Sequence, residues 1–172
     1  MDNKKLKKEI LNGKIFIYPT DTIYGLGCDA TNEKAVNKIK QIKERDKDKP
    51  LSIIAPNKEW IKENCIVNTD LDKYLPGPYT LILKKKISNF LNHISSTDSL
   101  GIRIPDNEFC KQIQKSNVPF VTTSVNLSHE PFATEISTIS PSILEQVDHI
   151  IEQENLSGTP STLIINGKEI KR

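Results

Sequence analysis

Five short segments gather side chains able to grip an anion or orient a small ligand. Tyr18 to Gly27, YPTDTIYGLG, leaves an apolar stretch through Pro19 into two hydroxyls, a carboxylate and two glycines. Small polar side chains on a strand-end turn present donors and acceptors, and glycine lets the backbone come close. The same residues would equally make a turn with an Asx-type cap. Lys43 to Leu51, KERDKDKPL, alternates Lys43, Arg45, Lys47 and Lys49 with acids and then enters an apolar run. A loop anchored this way can hold cations against a polyphosphate; otherwise it is a solvated face complementing a helix C-terminus. Ser99 to Pro105 sets Arg103 between Ile102 and Ile104. An arginine in an apolar strand is costly unless it meets a protein acid or a ligand carboxylate. Thr122 to Ser128, TTSVNLS, packs five hydroxyl or amide side chains into seven residues, which suits a ligand site or an elaborate helix cap. Ser157 to Leu163, SGTPSTL, offers Ser161 at a strand entrance, or is simply a loop running into an edge strand.

The arginines carry a second signal. Of 24 basic residues only Arg45, Arg103 and Arg172 are Arg, and the other 21 are Lys. In so lysine-rich a chain each Arg is a candidate for work that needs a planar, bidentate donor, such as gripping phosphate or carboxylate. Other chemistries lack their residues. There is no GxxxxGK[ST] loop, no GxGxxG, no GxSxG nucleophile and no pairing of a nucleophile with its base. His93, His129 and His149 fit no metal pattern. Cys28, Cys65 and Cys110 fit neither zinc spacing nor a disulfide framework, and read as small buried or half-buried thiols. Hydroxyls, amides and cations suit positioning and charge neutralisation, which phosphoryl and nucleotidyl transfer require.

The elements that must position these groups follow from periodicity. Asp2–Asn12 reads as a helix stopped by Gly13, with Leu6 and Ile10 on one face. Asn32–Glu44 reads as an amphipathic helix, capped by Thr31 or Asn32. Lys58–Asn64, Asn107–Lys115 and a helix from Ser140-Pro141 to Gln146 complete the helical set. Strands are expected at 14–18, 51–55, 80–83, 100–104, 119–122, 148–152 and 162–165. Irregularly interleaved helices and strands point to α/β or α+β, a mixed sheet covered by helices. With 172 residues, 36% hydrophobic and 27% charged, a single domain over residues 1–172 with its own core is expected. The net charge of +2 does not by itself imply nucleic-acid binding. No apolar run suits a membrane span and no secretory signal opens the chain, so a cytosolic protein is the simplest reading.

These five segments and a sixth motif, in chain order, resemble the YrdC-like family of threonylcarbamoyl-AMP synthases. They are PTDTIYGLG ending at Gly27, Lys43-x-Arg45 with Pro50-Leu51, Pro76-Gly77-Pro78-Tyr79-Thr80, Arg103 to Pro105, Ser124-x-Asn126, and Ser161-Thr162. The resemblance implies a twisted mixed sheet with flanking helices around a large cationic cavity. It implies synthesis of threonylcarbamoyl-AMP and pyrophosphate from L-threonine, bicarbonate and ATP, for N6-threonylcarbamoyladenosine (t6A) in tRNA. ATP would arrive with Mg2+, and no protein side chains are expected to bind a metal tightly. Lys43, Arg45, Ser124 and Asn126 would hold the phosphates and shape the transfer. Lys49 and Ser99 would also touch ATP, and Arg172 would close on it from the tail. Thr22, Arg103, Thr122 and Ser161 would hold threonine. Expected partners are the downstream t6A transferase machinery and tRNA or double-stranded RNA, with no membrane.

The chain departs from the family pattern at Lys49, where many members have Asn, and at Ile54, where some have His. His129 and Pro160 replace a usual Gly and Glu. The extra C-terminal domain of larger members is not expected here, so a lid over ATP would have to come from the short tail. Other classes stay open on the residues alone: a double-stranded RNA or tRNA-binding module, a paralogue of the fold without threonine chemistry, and a carbamoyl-transfer domain.

Overall fold

The computed structural model describes residues 1–172. Helix α1 spans Asn3–Leu11, with the Asp2 carboxylate accepting from the Lys5 amide at its start, and it buries Leu6 and Ile10. Gly13 follows at φ 73° and turns the chain into β1, Phe16–Tyr18. Strand β2, Gly25–Gly27, lies antiparallel to β1. Helix α2, Glu33–Ile42, is capped by Asn32 and buries Ala35, Val36, Ile39 and Ile42, the face its periodicity marks. Next come β3 (Ser52–Ile54), α3 (Lys58–Asn64), β4 (Cys65–Ile66) and α4 (Leu71–Tyr74). Then follow β5 (Tyr79–Lys85), β6 (Ser99–Arg103), α5 (Glu108–Gln114) and β7 (Phe120–Ser124). A single 3-10 turn at Ile136–Thr138, α6 (Pro141–Leu144), β8 (His149–Ile150), β9 (Thr162–Ile165) and β10 (Lys168–Ile170) complete the chain.

All strands join one mixed sheet in the order β10-β9-β5-β6-β3-β7-β2-β1-β8, with β4 on the far end of β5. The pairs β1/β8, β3/β6 and β5/β9 are parallel and the others antiparallel. The side-chain period of two divides the sheet into two faces. Ile17, Leu26, Ile53, Leu81, Leu100, Ile102 and Val121 point into the larger core, which residues of α2, α3, α4 and α6 complete. Part of the opposite face carries a smaller core, where Phe16, Tyr18, Ile54 and Phe120 meet Leu6 and Ile10 of α1 and Cys110 and Ile113 of α5. The rest of that second face is mostly polar and forms the floor of a cavity. Cys28, Cys65 and Cys110 are free thiols and buried.

Gly27 is required by a close approach. A Cβ there would stand 2.0 Å from the Val121 carbonyl oxygen, where β2 and β7 close together. Five elements lie outside the expectations from periodicity: β2, β4, α4, the 3-10 turn and β10. All are four residues or shorter, too short to show a period.

Candidate active site

The register of the central strands builds the floor. Ile82, Gly101, Ser52 and Thr122 stand side by side across β5, β6, β3 and β7. Gly101 keeps this row open, since a Cβ there would come 2.6 Å from Ser52 Oγ. Ser99 and Arg103 lie two residues to either side of Gly101 and share its face. Thr80 and Ser161 rise from β5 and the entrance of β9, their hydroxyls 2.7 Å apart. The result is a cavity of about 610 Å³. All three arginines line it, and no lysine or acidic side chain does.

Arg103 has a protein partner, one that proximity along the strand could not reveal. Its Nη2 donates to Asp21 Oδ1 at 2.6 Å and to Thr22 Oγ1 at 3.2 Å. Both sides of this ion pair are nearly buried, at 7% and 11% side-chain exposure. Asp21 is itself fixed, because its Oδ2 accepts from the Asp106 amide. The pair consumes one guanidinium nitrogen, and Arg103 Nε is buried without a partner. Arg103 is thus anchored from behind by the Tyr18–Gly27 segment and still lines the cavity.

Arg45 follows α2 after a turn in which Glu44 adopts φ 50°. Its Nη2 donates to the Pro50 carbonyl at 2.7 Å, and its Nε is also buried without a partner. Arg172 leaves β10 and lies on Ser161, donating from Nε to the Ser161 carbonyl and from Nη2 to its hydroxyl. Burial, and after it the nearby Arg103 charge, holds the Arg172 guanidinium below its ordinary range.

Lys43 departs from the expectation of an exposed charged loop. It is 1% exposed, and its Nζ donates to the carbonyls of Ser124 and Asn126 and to Asn126 Oδ1. No acid faces it. Burial first, then the Arg45 and Lys49 charges, brings its ammonium down to about 7. Lys43 is therefore a clamp beneath the loop after β7, tightened by Ser128, whose hydroxyl donates to the Lys43 carbonyl. Lys40 and Lys85 act alike. Lys40 joins the carbonyls of Lys47 and His93, and Lys85 those of Phe90 and Ser95. Three buried ammonium groups thus tie down the loops that rim the cavity.

The remaining candidates divide. Ser99, Thr122, Ser124 and Ser161 line the cavity with the three arginines. Thr22 is fully buried behind Arg103, and it is Thr20 that reaches the wall. Asn126 lies behind Ser124, whose hydroxyl donates to Asn126 Oδ1 at 2.5 Å. Lys47 and Lys49 are exposed and line nothing, so Arg45 alone of the four alternating cations is in the wall. Sequence reasoning passed over Asp21 and Thr80, although both stand inside quoted motifs, and it passed over Phe132, which no motif marks.

A family model described as "Sua5_yciO_yrdC: Telomere recombination" matches residues 8–171. A protein of Methanocaldococcus jannaschii named "Putative threonylcarbamoyl-AMP synthase" is 44% identical over 164 residues, covering 92% of this chain and 77% of that one. A threonylcarbamoyl-AMP synthase of Pseudoalteromonas atlantica is 30% identical over 161 residues, covering 89% of this chain and 85% of its own. Among solved structures, P. abyssi Sua5 complexed with L-threonine superposes with TM-score 0.82 at 27% identity. That match covers 94% of this chain and 50% of the Sua5 chain, so this chain spans half of that protein's length. The solution structure of MTH1692 from Methanobacterium thermoautotrophicum superposes with TM-score 0.74 at 32% identity, over 98% of this chain and 85% of that one. The mixed sheet is thus a shared architecture, and the chain belongs to the Sua5/YciO/YrdC family.

Proposed function

We propose that the protein is a threonylcarbamoyl-AMP synthase, acting on L-threonine, bicarbonate and ATP to supply t6A modification of tRNA. One observation carries the reading furthest: the three arginines of a lysine-rich chain converge on one cavity, two of them with a buried Nε lacking any partner. A buried unpaired donor is costly unless a ligand completes it. The names of the relatives, and the threonine bound by P. abyssi Sua5, point the same way.

The chemistry asks for positioning and charge neutralisation. The threonine amine captures CO2 from bicarbonate as a carbamate, releasing water. A carbamate oxygen then attacks the α-phosphorus, and the bond to the bridging oxygen breaks as pyrophosphate departs with its electron pair. Arg103 receives the threonine carboxylate through the guanidinium nitrogens that Asp21 and Thr22 leave free, beside Thr122, the Ser161–Thr80 hydroxyls and the buried Thr22. Arg45 and Ser124 face the phosphates, and Lys43 and Asn126 hold Ser124 and its loop in place. Ser99 and Arg172 reach ATP from the other side of the floor, and Lys49 meets it only from outside the wall. ATP enters with Mg2+ held by phosphate oxygens. Residues 1–172 act as one domain, and the product passes to a t6A transferase acting on tRNA, in the cytoplasm.

The test is pyrophosphate release from ATP. Release that requires both L-threonine and bicarbonate is expected. Release unchanged without threonine, or none with every substrate and Mg2+ present, refutes the reading.

A further inference from the structure

Phe132 is out of place for a phenylalanine. It is 40% exposed, and it is the one phenylalanine among the large exposed apolar residues. Phe16 and Phe120 are fully buried, and Phe90 and Phe109 pack against the two cores. Phe132 belongs to neither core and instead lines the arginine-walled cavity. Leaving such a ring in water forgoes the stabilisation that burial brings.

Its loop is held still. The Glu130 carbonyl accepts from Asn126 Nδ2 at 2.6 Å, and the Ala133 carbonyl accepts from the Tyr24 amide at 3.1 Å. Ala133 is buried. Phe132 therefore rides on a loop pinned on both sides of it, so the exposure of its ring is built into the fold. The other aromatic residue of the wall, Tyr24, is 2% exposed, and its hydroxyl is engaged with the Gln153 backbone. Phe132 is thus the aromatic face the cavity offers to a ligand. It lines the same cavity as Arg45 and Ser124.

A cavity with guanidinium groups and one presented aromatic ring has the two components that recognise a nucleotide: cations for phosphates and a π-face for the base. We propose that Phe132 is a base-stacking residue that receives the adenine ring of ATP, an inference that rests on the nucleotide-binding reading above. Stacking tolerates any base, so this contact supplies affinity and orientation more than discrimination.

The experiment compares ATP, inorganic tripolyphosphate and L-threonine as calorimetric titrants of wild type, Phe132→Ala and Phe132→Trp. Phe132→Ala is expected to bind ATP about 10-fold more weakly, within the range for loss of one stacked base. Its tripolyphosphate and threonine affinities are expected to stay within about twofold. Phe132→Trp is expected to retain ATP affinity, with indole emission quenched by ATP and not by tripolyphosphate, over the constant background of Trp60. Wild-type ATP affinity in Phe132→Ala overturns the proposal. Equal weakening of ATP and tripolyphosphate also overturns it, because the residue would then only support the loop. Failure of wild type to bind either phosphate compound defeats the nucleotide reading itself, a result separable from the first two.

Discussion

Replacing Arg103 by Lys separates the two demands made on that guanidinium. In the structure Nη2 is committed to Asp21 and Thr22, while Nε is buried and free. A lysine has a single nitrogen, which the buried Asp21 carboxylate will hold, so little is left to meet a ligand carboxylate. The ion pair survives in part, and the fold is spared the 3–5 kcal/mol typical of stripping one partner from a buried pair. The lost contact from the remaining guanidinium nitrogens to the ligand carboxylate is worth roughly 1.5–3 kcal/mol, the range for hydrogen bonds to charged groups. That corresponds to a threonine dissociation constant about 10- to 150-fold higher. ATP affinity should change little, because the phosphates are assigned to Arg45 and Ser124. Calorimetric titration of each ligand, with a thermal melt of the same preparation, checks all of this. Equal weakening of threonine and ATP would mean that Arg103 supports the cavity as a whole. Unchanged threonine binding would make it a purely structural partner of Asp21, and the assignment would fall.

Other perturbations separate site from scaffold. Arg45→Ala should cut turnover about 100-fold, a barrier increase of roughly 3 kcal/mol, while its melting temperature barely moves. Lys43→Met should behave oppositely in a melt. It takes one hydrogen bond from each of three oxygens and should cost roughly 3 kcal/mol, or a melting temperature lower by about 6–12 °C; a melt like that of Arg45→Ala would refute the clamp. Lys43 also predicts a proton linkage. Its pKa is lowered to about 7 by burial and by the Arg45 and Lys49 charges. Between that value and the unfolded lysine value the unfolded chain binds more protons, so this group adds stability as pH rises through 7. ATP phosphates nearby should return its proton, so binding at pH 8 should take up protons in calorimetry across buffers of differing ionisation enthalpy, and zero uptake would exclude the linkage. Gly27→Ala should destabilise the fold by at least about 2 kcal/mol in denaturant titration, since its Cβ would collide with the Val121 carbonyl; wild-type stability would refute that close approach.

Much of this molecule is legible in its sequence because the signals are local. The period of two along Ser99, Gly101 and Arg103 against Leu100, Ile102 and Ile104 assigns the two faces of β6 before any partner strand is known. The face of α2 and its Asn32 cap are equally plain. The Asn166-Gly167 pair between two β-rich runs is a hairpin signal that went unread, and both residues take the positive φ that such a turn needs. Other features exist only in three dimensions. Asp21 meets Arg103 across 82 residues of chain. Lys43 looks like one of several lysines in a charged run, and only the loop folded over it makes it a buried clamp. Lys49, in the same run, has the same local signal and stays in water.

The strand order also sets when the cavity can come into being. Strand β9 reaches β5 from the far end of the sequence, and with it come Ser161 and, after β10, Arg172. Until that docking occurs, β5 is an open edge along Tyr79–Ile82, and Thr80 lacks the hydroxyl it faces. Pairings this distant in sequence form late, because a long loop must close before any contact rewards it. During synthesis on the ribosome the nascent chain would therefore carry a nearly complete sheet with an unfinished wall and a sticky edge. The β9–β10 hairpin, which emerges after the rest of this sheet, is at once the closing piece of the fold and the piece that makes it competent.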